Sequence, residues 1–276
     1  MGNNSSSVLA SWHEAIVSDR VSITNIRGDE TLQYLDEMLE FAESLCTAGD
    51  DSNSEMSKMT SKDMKLLVSV TTMLAAEVGK EATPLSSPTV VKACRAKALV
   101  TLFWLLRIPQ LSKSALESCL RPFTSFMDFA DAELAVVILN CIFVGIQSMD
   151  DDIARAGACF EMGKCGMYGK LINLLDAARF PSASDGCLFL FTLAAEHLVW
   201  CLNKDSLVLP TSAAANFYAL QQRILRVILN RRDALFDLVR HPNNQVSFSA
   251  TLLLIQVFLL QEKKICHLLQ VKLTLN

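Results

Sequence analysis

Apolar residues recur at intervals of three and four along most of the chain, which is the spacing of one face of an α-helix. The segment Thr31 to Cys46 shows this first, because its apolar residues share one face while acidic residues such as Asp36 and Glu40 lie opposite. No stretch alternates apolar and polar residues for long enough to require a strand. The pattern therefore predicts an all-α protein.

The same spacing predicts further helices, separated by turn residues. They run over Ser61–Val78, Pro88–Leu106, Ser112–Met127, Asp131–Gln147, Leu171–Ala178, Ser184–Leu202, Thr211–Asn230 and Asn244–Gln261. Five of the seven prolines fall between these segments and Pro88 begins one, whereas Pro122 lies inside a segment and is expected to kink or split it. The residues expected to cap helix starts are Asp29, Ser87, Ser112 and Thr211.

Composition changes along the chain predict four regions. Residues 1–30 form an N-terminal tail, in which Val8 to Val17 has the pattern of a short amphipathic helix. This segment could lie at a membrane interface or pack on the domain. Residues 31–46 form the first helix, residues 47–60 a flexible polar linker, and residues 61–276 a helical repeat domain.

Two stretches, 125–139 and 237–252, share a design of an apolar helix end, a short polar turn and a strongly apolar helix. This design resembles the armadillo and HEAT families, whose repeats carry such a turn. The resemblance implies antiparallel helical hairpins stacked as a right-handed α-solenoid, with a concave face that binds proteins. A single closed helical bundle would produce much of the same pattern, and that alternative stays open.

The net charge and the cysteines limit which classes of function and which cellular locations agree with the sequence. The net charge is −4 and no basic stripe is present, which argues against nucleic-acid binding. Nine cysteines and no recognisable secretory signal predict a reducing, cytoplasmic location. The most apolar runs, Ala98 to Leu106 and Cys187 to Leu202, are too short or too interrupted for a membrane span and are expected to be buried helices.

The N-terminus carries the most specific functional signal. Met1-Gly2-Asn3-Asn4-Ser5-Ser6 fits M-G-x-x-x-[ST], in which Gly2 receives a myristoyl chain and Ser6 is the hydroxyl residue that the transferase recognises. One myristoyl chain holds a protein to a bilayer only marginally, and no cysteine or basic cluster that could supply a second anchor lies nearby. We therefore expect reversible association with the cytosolic face of a membrane.

Other candidate chemistries fail on spacing. The run from Gly157 to Cys165 has one residue too many between its glycines and no Ser or Thr after Lys164, so a phosphate loop is rejected. The glycines 157, 163, 166 and 169 are instead expected to mark a helix break or a loop between stacked helices. The cysteines lack CxxC pairs, and Asp150 to Asp152 lack the alternation of a calcium loop and instead suit a helix start near Ile153. No cofactor, metal or small-molecule substrate is expected.

Two residue groups keep a structural and a functional interpretation. His197 beside Glu196 could form a proton-handling pair, although adjacent helical residues point about 100° apart, and a buried or groove-lining polar patch is the alternative. The arginines 223, 226, 231, 232 and 240 suit the end of a helix, or else an acidic partner or lipid headgroup.

These observations predict a non-enzymatic adaptor that binds protein partners and is reversibly membrane-associated. The N-terminal hexapeptide and the helical body also resemble dymeclin and its relatives, which implies a role in membrane trafficking. The alternative is an unmodified cytosolic regulatory subunit, or a transport or cytoskeletal adaptor. The apolar C-terminal segment from Lys263 to Asn276 is expected either to be covered by another chain or to belong to a longer repeat protein.

Overall fold

The computed structural model describes the backbone of residues 3–23, 30–47, 59–80, 87–129, 131–180, 182–203 and 205–274. These residues form helices and turns, and none of the described residues lies in a strand. The prediction of an all-α protein is therefore confirmed. Residues Gly2 and Asp29 and most of the predicted linker, 48–58, lie outside the described residues, as do the side chains of 263–276.

Twelve helices are present in the described part of the chain. The first six are α1 (Asn3–Val17), α2 (Glu30–Thr47), α3 (Ser61–Val78), α4 (Pro88–Leu105), α5 (Pro109–Phe126) and α6 (Ala132–Gln147). The others are α7 (Asp152–Lys164), α8 (Met167–Ala178), α9 (Asp185–Leu202), α10 (Thr211–Leu229), α11 (Arg232–Val239) and α12 (Asn244–Thr274). Apart from the eight-residue α11, each overlaps a segment for which a helix or a helix start was predicted, with ends that differ by a few residues.

The chain separates into two compact units, Met1–Glu161 and Met162–Asn276. The sequence analysis placed no boundary at this position. In the first unit, helices α1, α3 and α5 lie side by side, and so do α2, α4 and α6. Because α3 packs on α4 and α5 packs on α6, successive helices alternate between the two rows. The core between the rows contains fully buried side chains such as Leu74, Leu99 and Phe123.

In the second unit, α8 packs on α9 and α11 packs on α12. Helix α9 lies against α12, α8 lies against α11, and α10 contacts both α8 and α9. The side-chain amide of Gln221 on α10 donates a 2.8 Å hydrogen bond to the carbonyl of Cys201 at the end of α9. This bond ties α10 to the buried end of α9 and satisfies a helix-terminal carbonyl.

Several expected helix starts differ from the structure. Ser112 was expected as a cap but lies inside α5, which begins at Pro109, and its buried hydroxyl donates to the carbonyl of Leu106. Thr211 is the first residue of α10, whose cap position is Pro210. Ser87 does occupy the cap position before Pro88, but its side chain makes no capping hydrogen bond. In α4 and α5 a proline stands in the first helical turn, where its nitrogen needs no partner, so these two starts do not depend on a hydroxyl.

Helix α5 continues through Pro122 and is not split there. Pro122 stands in the last turns of the helix, where Leu120 and Phe123 are both fully buried. The Cβ of Pro122 would lie 3.4 Å from a Cβ built on Gly79, so the ring packs closely against the end of α3. Tertiary packing therefore holds the helix together across a residue that weakens it locally.

Two described helices, Asp185–Leu202 and Asn244–Glu262, are long and apolar enough in composition to cross a membrane. About half of the first and 28% of the second are buried within the protein. Polar residues such as Glu196 interrupt the apolar run of the first helix, which is why no span was expected there. Core helices of globular proteins meet the same criterion, so this finding is weak evidence of a membrane span.

Candidate protein-interaction site

Helix α12 is apolar on two opposite sides. One side carries Val246, Ala250, Leu253, Val257 and Leu260, all at most 7% exposed and packed within the second unit. The other side carries Phe248, Leu252, Ile255, Phe258 and Leu259, which are 38 to 64% exposed. Single exposed apolar residues are ordinary on protein surfaces, but a continuous stripe marks a surface that a partner covers. We call this second side the α12 stripe.

Helix α9 supplies the facing wall. Asp185, Phe189, Thr192, Glu196 and Val199 follow one another at intervals of four and three residues, so they lie along one side of the helix. Phe189 is 52% exposed. We call these five residues the α9 wall.

The α9 wall and the start of the α12 stripe enclose a groove. One cavity of about 330 Å³ is lined by Phe189 and Glu196 from α9 and by Phe248 and Leu252 from α12. A second cavity, of about 260 Å³, adjoins it and is lined by Asp185 and Phe189 on one side and by the first residues of α12 on the other. Both helices therefore run in the same direction along the groove.

The charges in this groove have one sign. Among the described residues that line the two cavities, Asp185 and Glu196 are the ionisable ones, and both carry carboxylates. They stand three helical turns apart, about 16 Å along the α9 axis. The α9 side of the groove thus bears two carboxylates, whereas the α12 side has no ionisable group and combines apolar Phe248 and Leu252 with uncharged polar residues such as Ser249.

His197 faces the interior of the second unit, whereas its neighbour Glu196 is exposed. His197 is 5% exposed, and burial lowers the pKa of its imidazole to about 3, so the ring is neutral at physiological pH. The hydroxyl of Tyr168 lies 3.4 Å from its Nε2 atom, and the two rings stack. Of the two interpretations of His197, the structure agrees with a buried polar patch, because the imidazole is buried beside Tyr168.

The N-terminal motif is placed only in part. Gly2 lies outside the described residues, whereas Ser6 is in α1 and its hydroxyl donates a hydrogen bond to the carboxylate of Asp63 on α3. Thr60 caps α3, and Asp63 accepts from both its backbone amide and its hydroxyl. The bond from Ser6, followed by those from Thr60, lowers the pKa of Asp63. Ser6 is thus held in the folded protein.

The amphipathic pattern of Val8 to Val17 corresponds to the greater part of α1. Leu9, Trp12 and Ile16 are buried against the first unit, and the Trp12 ring meets Phe41 of α2 edge to face at 5.3 Å. Val17, at the end of the helix, is 63% exposed. Of the two interpretations given for this segment, the structure has the helix packed on the protein.

The helix break expected at the glycine cluster occurs at Gly166 alone. Gly157 and Gly163 lie inside α7, which ends at Lys164, and Gly169 lies inside α8. Gly166 has a φ of 82° before α8 begins, a left-handed conformation that favours glycine over any residue with a Cβ. Gly166 therefore separates α7 from α8.

The described cysteines and carboxylates form no metal cluster of three or more ligands. Five of the eight described cysteines are buried, and burial raises the pKa of the Cys119 thiol to about 12. Burial also raises the pKa of Cys141. Thiols that stay protonated are poor nucleophiles and poor metal ligands.

Two of the charged residues singled out in the sequence, Asp151 and Arg231, have structural partners. Asp151 accepts a 2.9 Å hydrogen bond from the amide of Ile153 and pairs with Lys113, as expected for a helix start. Arg231 donates to Asp176 at 2.8 Å and to Asn173 at 2.7 Å within the second unit. These contacts account for Asp151 and Arg231 without a ligand.

No family model, curated protein or solved structure is similar to this chain. The class of this protein is therefore defined from its own residues. The described residues form helices and turns without a strand, and the second unit carries a groove with two carboxylates on its α9 side and no ionisable group on its α12 side. The sequence analysis did not assign this groove. The sequence signal for the groove lay in α12, whose apolar residues occupy two opposite sides of the helix instead of one.

Proposed function

We propose that this protein is a non-enzymatic scaffold that binds a protein partner through the groove of its second unit. The α12 stripe carries the proposal. Leaving five large apolar side chains in water is unfavourable, and removing such surface from water yields roughly 25 cal/mol per Å². A partner that covers the stripe gains that free energy, so the surface favours association.

The helix arrangement supports an armadillo- or HEAT-like stack of hairpins as the architecture behind this function. In the first unit, successive helices alternate between two rows. In the second unit, the pair α8 and α9 lies beside the pair α11 and α12, with matching helices adjacent. Stacked hairpins of this kind present one helix of each pair along a continuous face, and the proposed groove lies on such a face.

The proposal includes myristoylation at Gly2 and reversible association with the cytosolic face of a membrane, in a trafficking role. A transferase that recognises Ser6 takes the N-terminal peptide as an extended chain. In the folded protein Ser6 is helical and bonded to Asp63, so we place the modification before α1 docks on α3. Since a single acyl chain binds membranes weakly, the groove's partner would reinforce the attachment.

The second candidate is an unmodified cytosolic regulatory subunit, or a transport or cytoskeletal adaptor, that uses the same groove. The buried apolar face of α1 and the bond of Ser6 favour it, because they engage the N-terminal segment within the protein. Mass spectrometry of the mature N-terminus from the native host separates the two candidates. A free or acetylated terminus removes myristoylation and leaves the scaffold function in place.

The scaffold function is tested by affinity purification from the host with matched variants. Phe248→Glu places a charge in the α12 stripe, and Phe236→Glu makes the same change at a 41% exposed site on α11, outside the groove. We expect partner proteins to be lost with Phe248→Glu and retained with Phe236→Glu. Identical sets of co-purifying proteins for both variants and the parent protein would refute binding through this groove.

A further inference from the structure

We infer that the groove between α9 and α12 receives an amphipathic helix whose apolar stripe packs on α12 and whose lysine or arginine side chains face Asp185 and Glu196. The inference rests on the proposed function and specifies the chemistry of the partner. Spacing, backbone chemistry and charge each support one part of it.

The spacing of the α12 stripe is that of a helix seam. Phe248, Leu252, Ile255 and Leu259 follow at intervals of four, three and four residues. This is the repeat with which one helix presents side chains to another over successive turns. A partner helix with the same repeat would place its side chains between these four and Phe189 of the facing wall.

Backbone chemistry favours a helix over an extended peptide. An extended peptide leaves its backbone amides and carbonyls without partners unless a strand edge accepts them, and the described residues that line this groove are helical or in the turn before α12. A helix satisfies its own backbone groups and can lie against an apolar wall without an unpaired polar group. The wall of α12 therefore suits a helix.

The two carboxylates of the α9 wall determine which charge the flank of the partner helix must carry. Covering Asp185 and Glu196 with an uncharged surface would remove both carboxylates from water without compensation. Lysine or arginine side chains at two positions three turns apart would pair with both. A partner with acidic residues there would be repelled, so the same wall also provides specificity.

The carboxylates also argue against the other occupants. In a symmetric dimer each groove would meet its own copy, and the described lining offers no cation to pair with the copy's Asp185 and Glu196. A membrane with anionic headgroups would be repelled by the same two groups. A basic helix is the occupant that both walls accept.

Three labelled peptides of about four helical turns test the inference on the full chain. The first has leucines at the seam spacing with lysines along one flank. The second has glutamates in place of those lysines, and the third has the composition of the first with its leucine spacing scrambled. Fluorescence anisotropy at low and high salt gives each Kd.

We expect the lysine peptide to bind about ten-fold or more tightly than the glutamate and scrambled peptides, with the preference over glutamate shrinking in high salt. Glu196→Gln should weaken the lysine peptide about three-fold, as for one exposed ion pair, and Glu196→Lys should reverse the preference. Asp205→Lys, an exposed carboxylate outside the groove, is the matched control and should leave the order of the Kd values unchanged.

Equal Kd values for the lysine and glutamate peptides, or for the ordered and scrambled peptides, would overturn the inference. So would a dimer in sedimentation that Phe248→Glu dissociates, or binding of anionic vesicles that Phe248→Glu abolishes. If Phe248→Glu loses host partners but the peptides show no charge preference, the inference of a basic helix is refuted and the proposed function stands. Host partners unaffected by Phe248→Glu would refute the proposed function itself.

Discussion

The two units treat their apolar side chains differently. Among the described residues, fourteen large apolar side chains are exposed, and ten of them belong to the second unit although it is the shorter one. Helix α1 of the first unit buries Leu9, Trp12 and Ile16. Helix α12 of the second unit buries one side and exposes another that is equally apolar. The second unit is therefore where an interaction surface is to be sought.

The comparison shows what an apolar helix indicates and what it leaves open. An amphipathic helix such as α1 needs one neighbour to cover its single apolar face. A helix that is apolar on two sides needs two neighbours, and among the described residues α12 has neighbours on one side. A helix with more apolar faces than neighbouring helices therefore has a face that a partner would have to cover.

The largest expected effect tests whether α1 is a covered helix. Replacing Trp12, 3% exposed, with alanine removes a side chain packed against Phe41 and leaves a cavity. We expect the free energy of unfolding of the first unit to fall by about 3–5 kcal/mol in denaturant titrations. Val17→Ala at the 63% exposed end of α1 is the control and should stay within about 0.5 kcal/mol.

The two sides of α12 offer adjacent leucines with opposite burial. Leu253 is 0% exposed and Leu252 is 38% exposed. Leu253→Ala should lower the free energy of unfolding by about 2–5 kcal/mol, and Leu252→Ala by less than about 1 kcal/mol, in the same urea titration. Similar losses for the two variants would mean that the α12 stripe is covered within the chain, which would remove the difference between the units.

As the pH falls, the free energy of unfolding of the second unit should begin to decrease at a higher pH than the pH at which the contact between α1 and α3 weakens. Burial lowers the pKa of His197 to about 3, whereas an unfolded histidine titrates near 6.5. Between these values the unfolded chain binds the additional proton, so the free energy of unfolding falls as the pH drops below about 6.5. The loss attributable to His197 should reach roughly 2 kcal/mol by pH 5.

Urea titrations between pH 7 and pH 5, followed by hydrogen exchange in α9, measure this loss. His197→Gln removes the titrating group and should flatten the dependence. An unchanged pH dependence in that variant would show that His197 is not the group responsible.

The smallest effect concerns Ser6 and Asp63. Hydrogen bonds from Ser6 and Thr60 lower the pKa of Asp63, so its contribution is complete above the unfolded value of about 3.9 and is lost as the pH falls below it. The protection of α1 amides from hydrogen exchange, relative to their intrinsic exchange rates at each pH, should fall below about pH 4 in the parent protein. Ser6→Ala should raise their exchange a few-fold at pH 7, because it removes the bond between α1 and α3.

Asp63→Asn serves as the control, because it removes the carboxylate and should abolish the change below pH 4. Protection of α1 that stays constant down to pH 3 in the parent protein would contradict the role of this contact.

Local signals predicted most of the helices and part of their starts. The apolar spacing placed α3 at Ser61–Val78, where the structure has it, and Pro88 and Ser184 marked helix starts correctly. The cap expected at Ser112 was wrong, because its hydroxyl bonds the carbonyl of Leu106, a tertiary arrangement that no local rule contains. The groove was not predicted, because spacing shows that a helix has apolar faces but not which of them a neighbour covers.

The sequence by itself determined the helical character of the chain and the one-sided charge of the groove. Helical periodicity is a local property of neighbouring residues, and the carboxylates of Asp185 and Glu196 fall on one side of α9 by spacing alone. Tertiary structure decided that His197 is buried while Glu196 lines a cavity, and that one side of α12 is covered while the other is open. Burial depends on which segments meet, and residues distant in the chain determine that.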